Sequence, residues 1–514
     1  MDLNWQRRLI AVGAALIAFG GAWSLATESY ALAGLVLALT ACAIACRMTG
    51  LSLDATIGGI LLIGYLVGNR GFAQMSPPGL PLLPAELGLG IGVVCLALRS
   101  ATAKSLPIHR GGMDAVLILW LAVGTIRFSA DVRSNGLTAV RDFAMVYYAL
   151  FYFLARDWAG TDTGRRYIWN CLYAGMAIML PLWILFSYFP DFFTTYTMVR
   201  GIPLIFFKGD VTAALLAAGA VWMTLRTAAQ GTWWNWLFTA GLTTQVAVSN
   251  SRAALLALAV ACAWAATLRH WRFLRVQATV GVAGLLLLTV WAAASPRPVH
   301  TTQLYQLYER VTSMFDVQGE ANYLNEGLQD KPDNNRFRRE WWRRVATETW
   351  AEGPMLGLGF GADLAADFTR EYFPGSNEEF SARSPHNFAL TVFARMGLVG
   401  ALALLTLLGA MARGTWLAGL RPDRDEVLAP WFMAWTIFTC ACLGVVLEGP
   451  MGAVIFWSAL GLTGVTTQPA LTTENQENTP ATSALLLAVA EPVSAAVVAL
   501  SPSFQASLSS PPRP

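Results

Sequence analysis

Long apolar blocks, separated by short polar breaks, fill most of this chain. A helix needs roughly 20 apolar residues to cross a bilayer, with about 17 tolerated. On that template spans are expected near 9–27, 30–46, 52–68, 80–98, 113–126, 137–155, 167–189, 202–225, 233–249, 252–268, 276–294, 387–411, 428–447 and 450–466. The pattern predicts an all-α, polytopic transmembrane helix bundle of about 12–14 spans. The first block, Leu9 to Thr27, follows Arg7 and Arg8. It exceeds a signal-peptide core of about 7–15 residues, so an uncleaved first span is expected.

One long polar segment interrupts the pattern, and charge tells which side it lies on. With the N-terminus inside, Arg47, then Arg99, Lys104 and Arg110, then Arg156, Arg165 and Arg166 fall in cytoplasmic loops. Arg226, the Arg269, Arg272 and Arg275 cluster, and Arg413, Arg421 and Arg424 fall there too, as the positive-inside rule requires. The expected organisation is a transmembrane bundle over 1–294, an extracytoplasmic loop domain over 295–386, further transmembrane helices over 387–466, and a low-complexity cytoplasmic tail over 467–514. The outer segment is too long for a connector, which points to a functional insert. Within it Asn334–Trp350 reads as a helix, with Asn334 or Asn335 as cap and Arg336, Glu340 and Arg344 at i, i+4 spacing. Trp341 and Trp342 are expected to anchor it at the lipid interface. Pro354 ends it before a turn at Gly357, Gly359 and Gly361.

Composition agrees with the membrane reading. Hydrophobic residues make up 55% of the 514 and charged residues 13%, where a soluble domain carries roughly 25% charge. A net charge of +3 is too small to imply nucleic acid. Cys42, Cys46, Cys95, Cys171, Cys262, Cys440 and Cys442 all lie in or at the ends of apolar stretches and read as small buried hydrophobes.

Charges at membrane depth cost several kcal/mol unless paired or hydrated, so each is a candidate site residue. They are Glu86, Arg141 with Asp142, Lys208 with Asp210, Arg252 and Arg395, joined by Arg70, Arg127 and Arg133 in expected outer loops and Arg200 before its span. Most fall near the outer end of their spans. Cations at that level suit a lipid-linked phosphate or pyrophosphate. The competing structural reading makes Arg141–Asp142 and Lys208–Asp210 members of ion pairs with other helices, since residues so close in sequence do not face each other on a helix. Of the histidines, His109 and His270 sit in cytoplasmic basic clusters and read as solvated, and His300 begins the outer segment. His386 closes it, in Arg383-Ser384-Pro385-His386-Asn387. A neutral imidazole there is able to take a proton from a sugar hydroxyl; a cap or core residue is the plain alternative.

Pro385-His386-Asn387 followed by Arg395-Met396-Gly397-Leu398-Val399-Gly400 resembles the His-Asn…Gly-x-x-Gly signature of the O-antigen ligase and Wzy-type polysaccharide polymerase superfamily. Ser251-Arg252 before an Ala/Leu-rich span is similar to that family's Ser-Arg motif. Arg338, Trp342, Pro354 and the three glycines resemble the start of its periplasmic loop, and Glu448-Gly449-Pro450 its C-terminal region. The resemblance covers roughly residues 200–466. It implies a GT-C-like ligase/polymerase fold in the bacterial inner membrane, with an active site facing the periplasm. It also implies metal-independent, inverting glycosyl transfer without a cofactor. The implied donor is an undecaprenyl-pyrophosphate-linked glycan, and the implied acceptor is lipid A core or a growing glycan. Membrane lipids are further partners, as are chain-length regulator proteins. By the same resemblance His386 is the general base or orients the acceptor. Arg252 and Arg338 hold the pyrophosphate, and Lys208, Asp210, Arg141, Asn387, Arg70 and Glu86 are candidate substrate-binding residues. Two other classes explain intramembrane charge: a transporter or exporter of a lipid-linked or anionic substrate, which predicts inverted repeats, and a non-catalytic scaffold, which tolerates loss of His386.

Overall fold

A computed structural model describes residues 46, 50–76, 82–103, 112–249, 251–296, 298–316, 318, 320–321, 323–324, 331–373 and 383–465. The expected span 9–27, nearly all of 30–46, His109 and the tail from 467 lie outside the described residues. Within them the chain is an all-α multi-pass membrane bundle. Its helices are α1 (Leu53–Val67), α2 (Arg70–Ala73), α3 (Pro84–Ala103), α4 (Gly112–Tyr147), α5 (Leu150–Trp158), α6 (Asp162–Tyr188) and α7 (Pro190–Thr195). A short antiparallel pair, Met198–Val199 with Ile202–Pro203, precedes α8 (Gly209–Gln230), α9 (Trp233–Val248), α10 (Arg252–Thr267) and α11 (Trp271–Ala294). Then follow α12 (Gln303–Phe315), α13 (Lys331–Glu352), α14 (Ala366–Tyr372), α15 (Phe388–Gly419), α16 (Arg424–Ala441) and α17 (Pro450–Val465).

Six of these helices are long and apolar enough to cross a bilayer: α3, α4, α6, α8, α11 and α15. Their surroundings differ. The apolar window of α8 is 89% buried and that of α11 only 11%, so α8 is the core of the bundle and α11 faces lipid. The small side chains of α8 let α9, α10 and α16 approach closely. Leu285, Leu286, Leu287, Val290 and Trp291 point outward from α11.

Several expectations are corrected. The blocks 113–126 and 137–155 are separate helical stretches, but a one-residue break at Gly136 joins them in place of a loop. Helix runs from Gly112 to Gly136, breaks there at φ 52° and ψ −132°, and resumes to Tyr147 before α5 begins, the two stretches together being α4. Arg127 and Arg133 therefore lie on a helix, and Arg127 pairs with Asp131 at 3.0 Å. The block 202–225 becomes helical only at Gly209. The block 428–447 stops being helical after Ala441, leaving 442–449 irregular. His270 is buried, bonded through Nε2 to Asp425, while its Nδ1 accepts from the Phe273 amide and caps α11.

Cations expected to serve orientation alone are also paired. Arg99 bridges Asp54 at 2.7 Å and Asp157, and Arg156 meets Asp114. Among the described residues of the outer segment, α12 is inverted relative to a soluble helix. Glu309 and Arg310 are buried, whereas Tyr308 and Phe315 are exposed.

Candidate functional site

His386 stands two residues before the start of α15, just ahead of its N-cap. Asn387 caps that helix, its side-chain oxygen accepting the Leu390 amide at 3.1 Å. The cap fixes where the chain enters the helix. His386 itself has φ of 54°, a left-handed conformation that costs a non-glycine residue on the order of 1–2 kcal/mol. Neighbouring contacts hold it there. The Trp342 indole donates to the Pro385 carbonyl at 2.7 Å. The Ser384 hydroxyl donates to Glu448, whose other oxygen accepts from Thr391 at 3.1 Å. Trp341 lies with its ring centre 5.8 Å from the imidazole and donates to the Leu364 carbonyl at 2.7 Å. Neither tryptophan is the lipid anchor expected from sequence: Trp341 is 1% exposed, and both brace the segment that carries His386.

The irregular segment 442–449 collects the other charges. Backbone without helical bonding at this depth must find partners inside the protein, and it finds them in charged side chains. Arg338 Nη1 donates to the Leu443 carbonyl at 2.8 Å. Lys208 Nζ donates to the Val445 carbonyl at 3.1 Å, and Asp210 accepts the Val445 amide at 3.0 Å. Lys208 and Asp210 also pair directly, at 3.3 Å. The expectation that they cannot meet fails because Lys208 is the N-cap of α8, not a residue within it. Asn69 adds a second tie, accepting the Lys208 and Arg70 amides at 3.0 Å each. Arg252 Nη1 reaches the Ser313 carbonyl on α12 at 3.0 Å. The next turn of the same contact is Arg310 Nη1 to the Ala247 carbonyl at 2.5 Å.

These charges act on one another. Burial pushes the His386 pKa down to about 4, helped by Arg338 and Lys208 and opposed by Asp210. Burial also lowers the Arg338 pKa, as does the charge of Arg252, while Asp210 opposes both. Lys208, Asp210, Arg252 and Arg338 thus form one linked field beside a histidine that is neutral at pH 7. A cavity of about 540 Å³ opens between α13, α14 and His386, with Arg338 and Trp341 in its wall.

Other expected residues are engaged differently. Asp142 pairs with buried Arg395 at 2.8 Å and accepts the Gly361 amide at 2.9 Å. Asp131 accepts the Phe360 amide at 2.8 Å, and Asn135 donates to the Phe360 carbonyl at 2.7 Å. These contacts clamp the glycine-rich turn onto the bend of α15 at Gly397, where φ is 61°. Leu358 and Leu398 complete the dock through the Ala394 and Pro354 carbonyls, at 2.7 and 2.8 Å. Arg141 is exposed on α4. Glu86 accepts from Tyr148 at 2.6 Å, Tyr147 at 3.0 Å and the Leu83 amide at 2.6 Å. Arg70 is exposed, with its guanidinium 5.5 Å from the Phe206 ring centre.

Sequence reasoning missed Asn69, Arg310 and the backbone of 442–449. Only Arg310 left a trace, as a charge in the amphipathic run 303–315. Among the described residues, no group of three or more His, Cys, Asp or Glu side chains is arranged to hold a metal.

No curated protein matches the chain. Residues 237–405 match the family model described as O-antigen ligase. The match takes in α10 with Arg252, the outer segment with Arg338, and α15 with His386 and Arg395; Lys208, Asp210 and Glu448 lie beyond it. Over the matched residues this multi-pass membrane protein is similar to the O-antigen ligase family, in agreement with the resemblance to the O-antigen ligase/Wzy-type superfamily carried by its motifs.

Proposed function

We propose that the protein transfers a glycan from a polyprenyl-pyrophosphate carrier to a sugar hydroxyl. The reaction takes place on the periplasmic side of the bacterial inner membrane. The observation that carries this reading is His386, neutral and half-buried, beside Arg338 in a field of cations. The acceptor oxygen attacks the anomeric carbon from the face opposite the carrier, which inverts that centre. The bond from the anomeric carbon to the phosphate oxygen breaks, and the carrier pyrophosphate departs. His386 accepts the hydroxyl proton and returns it to solvent.

The charge that develops is on the leaving pyrophosphate. Cations placed there stabilise the transition state more than the ground state. Arg338 and Arg252 are already fixed by backbone carbonyls of 443 and 313, so little reorganisation is needed when the anion arrives. Bound pyrophosphate offsets the cationic field at His386 and raises its pKa toward the working pH, which makes it a better base. This chemistry asks nothing of a metal, and lipid A core or a growing glycan fits the acceptor role.

The test is transfer from a polyprenyl-pyrophosphate-linked oligosaccharide by purified protein with EDTA present. Glycan appearing on the acceptor, with release of the carrier pyrophosphate, supports the reading. Movement of intact lipid-linked sugar across proteoliposomes without transfer overturns it in favour of an exporter.

A further inference from the structure

The cavity at His386 has an unusual wall. Phe337 is the hub of an aromatic cluster on α13 and α14, 5.1 Å from Tyr372 and 5.8 Å from Phe373 between ring centres. Phe373 remains 42% exposed although it lines the cavity. At the polar rim stand Asp333 and Asn334. The Asn334 side-chain oxygen is buried and, among the described residues, has no hydrogen-bond partner. A buried acceptor left without a donor is costly, and the site that holds it is open to a ligand that supplies one.

We propose that this cavity is a stacking subsite for a sugar ring of the acceptor, with Phe373 beneath the ring, Tyr372 standing edge-on beside it and Asn334 accepting one of its hydroxyls. The inference rests on the transferase reading and names the place where the acceptor binds. An uncharged ring has an apolar C–H face for an aromatic floor and hydroxyl donors for a lone oxygen, the combination this wall offers. The cavity also lies on the acceptor side of the chemistry. His386, which must reach the attacking hydroxyl, is in its wall, whereas Lys208 and Arg252 are not. Arg338 lies in that wall too and joins the cavity to the cation field that receives the leaving group.

The experiment measures two things on full-length protein in nanodiscs: equilibrium binding of a labelled, deacylated core oligosaccharide, and transfer kinetics with donor and acceptor varied separately. Phe373→Ala and Asn334→Ala are expected to weaken oligosaccharide binding and raise the acceptor KM by about tenfold, with the donor KM unchanged. Phe373→Trp is expected to restore both. A rise in donor KM instead of acceptor KM overturns the proposal, as does wild-type behaviour in both alanine variants, or a wild type that binds no oligosaccharide. If the wild type binds in a Phe373-dependent way yet transfers nothing, the subsite stands and the transferase reading falls.

Discussion

The Trp342 indole donates to the Pro385 carbonyl at 2.7 Å, one residue before His386. A residue from the middle of the outer helix thereby holds the strained turn that presents the imidazole. Trp342→Phe keeps most of the packing and removes the donor. The variant should lose only about 1 kcal/mol of stability. A displaced base loses rate faster than binding, so kcat should fall about tenfold with acceptor KM little changed. Thermal unfolding beside steady-state kinetics checks both parts.

Gly357 tests the dock between the glycine-rich turn and α15. Its φ is 74°, and a Cβ added there would lie 2.4 Å from the Arg395 carbonyl carbon. Backbone cannot retreat as a side-chain tip does. Gly357→Ala should therefore cost at least about 2 kcal/mol, and limited proteolysis should cleave the outer segment faster. Wild-type protection in the variant would contradict this docking.

Glu86 behaves differently if its role is packing. Its carboxylate accepts from Tyr147, Tyr148 and the Leu83 amide. Glu86→Ala leaves all three donors unsatisfied and should destabilise the protein by about 1–3 kcal/mol. Donor and acceptor KM should stay at wild-type values. A raised donor KM in a stably folded variant would place Glu86 at the substrate.

The pH dependence follows from the cavity's burial and cations, which push the His386 pKa down to about 4. Only the neutral imidazole accepts a proton, so kcat/KM should be flat through neutrality and fall below about pH 4. Donor binding counters the cations, so the acid limb of kcat should lie at higher pH than that of kcat/KM. Stability moves in the same direction. An unfolded histidine takes up a proton near pH 6.5 and the folded one only near 4, so stability is lost as pH falls through that window. His386→Ala should remove this part of the pH dependence of unfolding.

The helix bundle is legible in the residue pattern because lipid imposes long apolar runs, and the candidate site residues are legible as charges that interrupt or border those runs. The outer helix expected over 334–350 runs from Lys331 to Glu352. His386, Arg338, Arg252, Lys208 and Asp210, separate in sequence, share one electrostatic field. What the pattern hides is backbone. Residues 442–447 are as apolar as a span, yet they leave the helix and offer carbonyls and an amide to Arg338, Lys208 and Asp210. Side-chain identity carries no mark of that. The same charges that read as ligand-binding from sequence therefore also hold irregular backbone in place. Gly136 hides another feature: a one-residue break between two helical stretches looks in sequence like a loop. The tryptophans misled for a third reason, since an indole needs a partner for its N–H and finds it as readily in a protein carbonyl as at the lipid interface.

The most direct measurement is the transfer rate of His386→Ala against wild type, with a polyprenyl-pyrophosphate-linked oligosaccharide as donor and EDTA present. The account predicts a variant that folds, binds donor with an unchanged KM and loses at least about a hundredfold in kcat. A folded variant that transfers sugar at the wild-type rate would contradict it and make the turn at His386 a structural feature alone.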